Sequence, residues 1–244
     1  NGRSITVSNL PSGTYTLTVT TIPDDNHNST EKTTTVTVNK VDSTVTAGDI
    51  TFEYGLTGTT TVSYTGASGF NATIEKGTVQ IEGNEIIVSG LNPGNYNLNI
   101  TTIPDSNHNA VSKSIKVKVN KATTEITAPG LVTAYNVNKY LTITLKDNKN
   151  STIAGASITV NINGAKKYTT NKNGQVKINT KTWTPKVYSA EITFAGNATH
   201  SKSQATAYIL SIKATPKLTA KNKTFKSTDK TKKYSVSLKN NQKK

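Results

Sequence analysis

Apolar and polar residues alternate in short runs along the chain. In residues 96–101, Tyr96, Leu98 and Ile100 share one parity and Asn97, Asn99 and Thr101 the other. That period of two predicts a strand with the first set facing a core and the second facing solvent. No long segment carries an apolar period near 3.6, so helices are not expected. Turn dipeptides separate the runs: Gly83-Asn84 follows one of them, and Asn173-Gly174 stands at a similar place further on. Both mark turns, and Asn173-Gly174 is the dipeptide favoured by tight type I′ hairpins. The abundance of Thr, Asn, Ser, Val and Ile suits strands and the turns between them. The expected class is all-β.

The alternating pattern also repeats. Residues 5–28, ITVSNLPSGTYTLTVTTIPDDNHN, return as residues 86–109, IIVSGLNPGNYNLNITTIPDSNHN, at an offset of 81. The same offset carries Asn39-Lys40 onto Asn120-Lys121 and Ala47 onto Ala128. A more divergent copy follows at an offset of 92, taking Tyr96 to Tyr188, Ile100 to Ile192, His108 to His200, and Lys121-Ala122-Thr123 to Lys213-Ala214-Thr215. Residues 139–146, KYLTITLK, are similar to residues 233–239, KYSVSLK. A fixed period of this length marks a repeated structural unit. The expected division is residues 1–40 as the closing strands of one module, 41–121 and 122–213 as complete modules, and 214–244 as the opening strands of another. Each complete module is expected to hold about seven short strands in a sandwich. The spaced set Leu10, Gly13, Tyr15 recurs as Leu91, Gly94, Tyr96 and suits a turn entering a strand whose tyrosine packs at a sandwich corner. In the third copy Trp183 takes the leucine position and Lys186 the glycine position. A lysine there conflicts with any turn needing positive φ at that point, and the lone Trp reads as a core plug rather than a sugar-stacking platform.

These motifs carry a family resemblance. The run TTNKNGQVKI, then TWTPKVYSAEITFAGNATHSKS and a closing strand that ends in Lys-Ala, resembles the immunoglobulin-like repeats of prokaryotic surface proteins, especially the adhesin-like proteins of methanogenic archaea. The resemblance implies tandem immunoglobulin-like β-sandwich modules, an extracellular location at the cell surface, and a part in cell adhesion as either spacer or binding module. One departure is that His27, His108 and His200 stand where the family often has a tyrosine.

Composition narrows the chemistry. With no cysteine, disulfides, thiolate metal sites and thiol nucleophiles are excluded. No stretch approaches the roughly 20 apolar residues that span a bilayer, so no membrane insertion is expected within the chain. The start, Asn1-Gly2-Arg3, lacks a signal-type apolar region, and the chain reads as an interior piece. The net charge of +15 is regional: up to Lys121 there are eight basic against ten acidic residues, and beyond it 21 lysines against four acids. The terminal lysines are accompanied only by Phe225 and Tyr234, too few aromatics for a nucleic-acid surface. A solvated lysine face, weakly attractive to anionic wall polymers, is the expected reading.

All three histidines follow a tyrosine by twelve residues. With one His and no Cys per copy, they fall short of the converging ligands zinc needs, and they read as loop residues with a candidate contact role. Asp24 and Asp105 are weak Ca²⁺ candidates, because the third copy has Asn197 at the corresponding position and a turn-forming Asp or Asn explains all three. No repeated carboxylate pair, nucleophile elbow or phosphate loop is present. Neither a catalytic site nor a cofactor is therefore expected. Six Asn-x-Ser/Thr sequons, at Asn28, Asn71, Asn99, Asn150, Asn197 and Asn222, are candidate glycosylation sites. The function expected is a stalk or spacer holding a distal binding domain away from the cell, with surface or wall glycans or proteins of a host or neighbouring cell as partners. Strands of this kind, rising 3.3–3.4 Å per residue, give roughly 30–40 Å per module. The alternatives are a carbohydrate-binding module, with loops near the histidines gripping glycans, or a spacer in a secreted cell-wall enzyme.

Overall fold

A computed structural model of the chain describes residues 2–239. Asn1 and residues 240–244, at the outer edges of the expected terminal segments, lie outside the described residues. Every regular element described is a strand, and the fold is all-β, built of immunoglobulin-like sandwiches. Two compact units divide at Asn120 and Lys121.

The first unit opens on a hairpin of β1 (Gly13–Thr20) and β2 (Glu31–Val38), paired from Gly13 opposite Val38 to Thr20 opposite Glu31. The segments that follow are β3 (Val41–Asp42), β4 (Thr44–Thr46), β5 (Ile50–Glu53), β6 (Gly58–Thr61), β7 (Ser63–Thr65), β8 (Gly69–Ile74), β9 (Thr78–Glu82), β10 (Glu85–Ser89), β11 (Gly94–Ile103), β12 (His108–Asn109) and β13 (Ser112–Asn120). They amount to the seven strands of an immunoglobulin-like module, three of them broken. The opening strand is split into β3, β4 and β5, the second into β6 and β7 at Val62, and the closing one into β12 and β13. One sheet orders as β6-β10-β9 and the other as β5-β13-β11-β8, with β5 parallel to β13. Between them lies a core holding Ile86 and Val88 from the first sheet, and Leu98, Ile100 and Val117 from the second. Leu98 and Ile100 are buried while Asn97 and Asn99 are exposed, as the alternation in the sequence requires.

The second unit contains β14 (Thr124–Thr127), β15 (Leu131–Ala134), β16 (Tyr140–Asp147), β17 (Ser157–Asn161), β18 (Ala165–Thr169), β19 (Gln175–Asn179), β20 (Lys186–Phe194) and β21 (Ser203–Ile212). A terminal hairpin of β22 (Lys217–Ala220) and β23 (Val236–Lys239) leaves Leu218, Val236 and Leu238 exposed. The sheets order as β14-β16-β19 and β15-β21-β20-β17-β18, closed on Leu141, Ile143, Leu145, Ile158, Ile192 and Ile209.

The two sandwiches differ in where the fourth strand goes. In the first unit β9 pairs with β10, whereas in the second β18 pairs with β17 and extends the opposite sheet. The loops account for this. Between β17 and β18 the register of Asn161 opposite Ala165 leaves three residues, and Gly164, at φ 111°, folds the chain straight back. Between β8 and β9, Gly77 takes φ 81° so close to Ser89 and Leu91 that a Cβ there would come within 2.6 Å of both. The chain is thereby led against the β10–β11 connection.

Of Gly83-Asn84 only Gly83 has positive φ, at 60°, which makes the β9–β10 turn type II′. The other turn needs correction. Asn173-Gly174 closes no hairpin, because β18 and β19 belong to different sheets. Its turn is held by the Asn171 side chain, which accepts the N–H groups of Asn173 (2.9 Å) and Gln175 (3.0 Å).

The tyrosines form corners. Tyr15 donates its hydroxyl to the Pro11 carbonyl (2.8 Å), Tyr96 to that of Asn92 (2.9 Å) and Tyr188 to that of Thr184 (3.1 Å), each reaching back along its own chain as in a tyrosine corner. Left-handed φ falls not at Gly94 but earlier, at Asn9 (59°) and Gly90 (73°), while Gly13, at 158°, is close to extended. Lys186 therefore meets no conformational obstacle, and its Nζ sits 4.7 Å from the centre of the Tyr188 ring.

Candidate functional site: a repeated histidine loop

Beyond each of the long strands β1, β11 and β20, the chain makes the same turn for a local reason. An Asp or Asn side chain accepts backbone N–H groups two and three residues on, which fixes a tight loop without regular pairing. Asp105 Oδ1 accepts the N–H groups of Asn107 (2.8 Å) and His108 (2.7 Å), and His108 Nδ1 lies 2.8 Å from it. Asp24 Oδ1 accepts the N–H of Asn26 (2.9 Å) and lies 2.8 Å from His27 Nδ1. Asn197 Oδ1 does the same work with an amide, accepting the N–H groups of Thr199 (2.9 Å) and His200 (2.7 Å). The loop therefore depends on an oxygen acceptor and not on a negative charge. His108 also rests on Gly66, where φ is 63° and an added Cβ would lie 2.5 Å from the imidazole.

The loop grips the start of its own module. Asp42 and Val41 run parallel to His108 and Asn109, with the Val41 N–H donating to the Asn107 carbonyl (3.1 Å) and the Ser43 N–H to that of Asn109 (3.2 Å). In the second unit the Ala122 N–H donates to the Thr199 carbonyl (2.9 Å) and the Ser201 N–H to that of Ala122 (2.8 Å). The preceding lysine closes the clasp each time, Lys40 Nζ on the Asp105 carbonyl (2.9 Å) and Lys121 Nζ on the Asn197 carbonyl (2.6 Å). Beneath it a hydroxyl is anchored: Ser43 to Thr102 Oγ1 (2.6 Å) and the Asn109 carbonyl (2.9 Å), and Thr124 to Ser203 Oγ (2.8 Å) and the Ser201 carbonyl (3.0 Å). Within the first unit the loop is also met by the turn ahead of β1. There the Ser12 N–H donates to Asn107 Oδ1 (2.9 Å) and the Ser12 hydroxyl to the Ser106 carbonyl.

Both carboxyls are held below the ordinary aspartate value. For Asp24 the main cause is the Asn26 N–H, followed by the His27 side chain. For Asp105 it is the His108 side chain, followed by the Asn107 N–H. Ca²⁺ takes six to eight oxygen ligands. Asp105 Oδ1 is already turned onto its own loop's donors, and no group of three or more His, Cys, Asp or Glu gathers among the described residues. All six sequon asparagines are exposed. Asn71 and Asn99 lie on adjacent strands of one outer face, Asn71 opposite Thr101 and Asn99 opposite Thr73. Asn150 adopts φ 62° and accepts from Lys146 Nζ (2.8 Å).

Sequence reasoning singled out the histidines and Asp24 and Asp105, and the structure puts them together pairwise in these loops. It missed Ser12, Lys40, Asn107 and Lys121. The signal for the lysines is the recurring Asn-Lys pair at residues 39–40 and 120–121.

No family model and no curated protein matches the sequence. Solved structures similar to it are the fibronectin(III)-like modules of Clostridium thermocellum CbhA (14% identity, 70% of this chain and 95% of that one, TM-score 0.27). The titin domains z1z2 in complex with telethonin are similar at 7% identity over 73% of this chain and 100% of that one, with a TM-score of 0.41. The adhesin InvE of Yersinia pseudotuberculosis is similar at 11% identity over 68% and 58%, with a TM-score of 0.29. The likeness to each is one of fold class.

Proposed function

We propose that the chain is a stalk or spacer segment of a cell-surface, adhesin-like protein, holding a distal binding domain away from the cell for attachment to glycans or proteins of a host or neighbouring cell. The observation that carries this reading is the clasp around the linker. Only Asn39 and Lys40 separate β2 from β3, and Lys40 is tied to Asp105 while Ser12 on the preceding turn is tied to Asn107 and Ser106. A linker this short and this bonded resists bending, and in a chain of nearest-neighbour modules such joints set the stiffness. Apart from the Ser12 N–H on Asn107 Oδ1, the clasp bonds end on main-chain carbonyls, which suits a scaffold rather than a catalyst. The resemblance of the repeat motifs to adhesin-like surface proteins supports the same reading.

Small-angle scattering of the whole chain tests it. The expected profile is that of an extended particle whose length grows by about 30–40 Å per module. The double variant Ser12→Ala/Asn107→Ala should give a broader distribution of distances at unchanged strand content. A compact particle, or a distribution indifferent to the double variant, overturns the proposal.

A further inference from the structure

We propose that the second sandwich binds a saccharide bearing an acidic group, in the cleft beside Trp183. Where β18 has left the three-stranded sheet, a cleft of about 330 Å³ opens, lined by residues of β18 and β19, by the end of β17 and its loop to β18, and by residues 182–183. That is the space of about eleven waters and the low end of the range for ligand pockets, suited to a terminal sugar ring rather than a long chain. Its lining includes Ile162 and Ile178, with the aromatic rings of Tyr168 and Trp183. A pyranose offers an apolar C–H face to such rings and a fringe of hydroxyls to polar side chains.

Trp183 is held ready for this. Its N–H donates to the Thr180 carbonyl (3.0 Å), its carbonyl accepts from the buried Ser211 hydroxyl (2.8 Å), and its ring packs 4.7 Å from that of Tyr188. Leu91, at the matching place in the first sandwich, is buried in the core. The larger Trp183 packs against its own core yet also lines the cleft. Fixing both backbone groups lowers the ordering cost of binding.

The other lining groups set the ligand's charge. The side chains of Lys166 and Asn163, which line the cleft, make no hydrogen bond or ion pair among the described residues, and no carboxylate lines it. An uncompensated ammonium beside an unpaired amide favours a uronate or another acidic sugar over a neutral one. The inference does not rest on the stalk reading, which scattering tests separately.

The chain has one tryptophan, so a change of its emission on titration comes from the surroundings of Trp183. Titration of the whole chain with an oligogalacturonate should change the emission saturably, and the neutral galacto-oligosaccharide of equal length should act more weakly. Lys166→Gln should weaken the acidic ligand by about tenfold, the scale of a hydrogen bond to a charged group. Trp183→Leu installs the residue that Leu10 and Leu91 supply in the other copies. It should still unfold in a cooperative transition by circular dichroism, at a lower temperature because Trp183 packs against the core, and lose the calorimetric heat of binding. An emission unmoved by either sugar at millimolar concentration, or binding that survives Trp183→Leu, overturns the site. Equal binding of both sugars, indifferent to Lys166→Gln, overturns its acidic specificity.

Discussion

Leu98→Ala tests the separation of the two cores. Leu98 has no exposed surface and belongs to the cluster with Ile86, Val88, Ile100 and Val117. Truncating a fully buried leucine costs about 2–5 kcal/mol, from lost transfer energy and the cavity left behind. A sandwich of this size has about 4–12 kcal/mol of stability in all. A loss of about 3 kcal/mol therefore removes a large share of it and lowers the melting temperature by about 12–24 °C. The two cores share no residue, and Trp183 packs against the second core only. Far-ultraviolet circular dichroism reports both sandwiches, and tryptophan emission reports the second. Leu98→Ala should move the first sandwich's component of the dichroism transition and leave the emission transition within about 0.5 kcal/mol, as expected of sites with no shared partners. Asn97→Ala, one residue away on the exposed face, should stay within about 0.5 kcal/mol. If the emission transition shifts in step with the dichroism, or if Asn97→Ala costs as much as Leu98→Ala, the reasoning from separate cores and alternating faces fails.

The remaining predictions concern the corner, the tight loops and the clasp. Tyr188→Phe removes a buried hydroxyl bonded to both the carbonyl and the side chain of Thr184 and should cost about 1–2 kcal/mol in urea unfolding. Tyr96→Phe gives up a single bond to the exposed Asn92 and should cost about 1 kcal/mol or less. Gly77→Ala meets both a positive φ and contacts of 2.6 Å with Ser89 and Leu91, whereas Gly83→Ala meets a positive φ with nothing within 4 Å. The first should destabilise by more than the roughly 1–2 kcal/mol of left-handed strain expected for the second, read by the same melts. Because the Asp105 carboxyl lies below its unfolded value of 3.8, its contribution is present above that pH and disappears as pH falls through the lower folded value. Asp105→Asn should leave the neutral-pH melt nearly unchanged and flatten the acid limb below about pH 4. A large loss at pH 7 would mean that the loop needs charge.

Much of the fold was legible because strand periodicity and core burial are the same fact seen twice. Tyr96, Leu98 and Ile100 face inward for the reason that makes them apolar. The turn types were less legible. The sequence shows which residues tolerate positive φ but not which one will take it, and the left-handed residue before the corner proved to be Asn9 or Gly90 instead of the glycine beside the tyrosine. The exchange of the fourth strand was not legible at all. It follows from loop closure at Gly164 and crowding at Gly77, and both depend on partners far away in sequence. The cleft beside Trp183 is a consequence of that exchange, and so the lone Trp, read as a core plug, could not be seen to line an opening as well.

The histidine loop shows how comparison between copies separates what a position needs from what it happens to contain. Asp24 and Asp105 alone suggest carboxylate chemistry. Asn197 accepts the same two N–H groups with an amide, so charge is dispensable and the acceptor is not. The lysine changes partner identity but not partner type: Lys40 and Lys121 both bond a main-chain carbonyl, which a change of side chain at Asp105 or Asn197 does not remove. A clasp built on backbone acceptors tolerates sequence drift in the loop while keeping its geometry. That tolerance is what the proposed spacer role would ask of the loop.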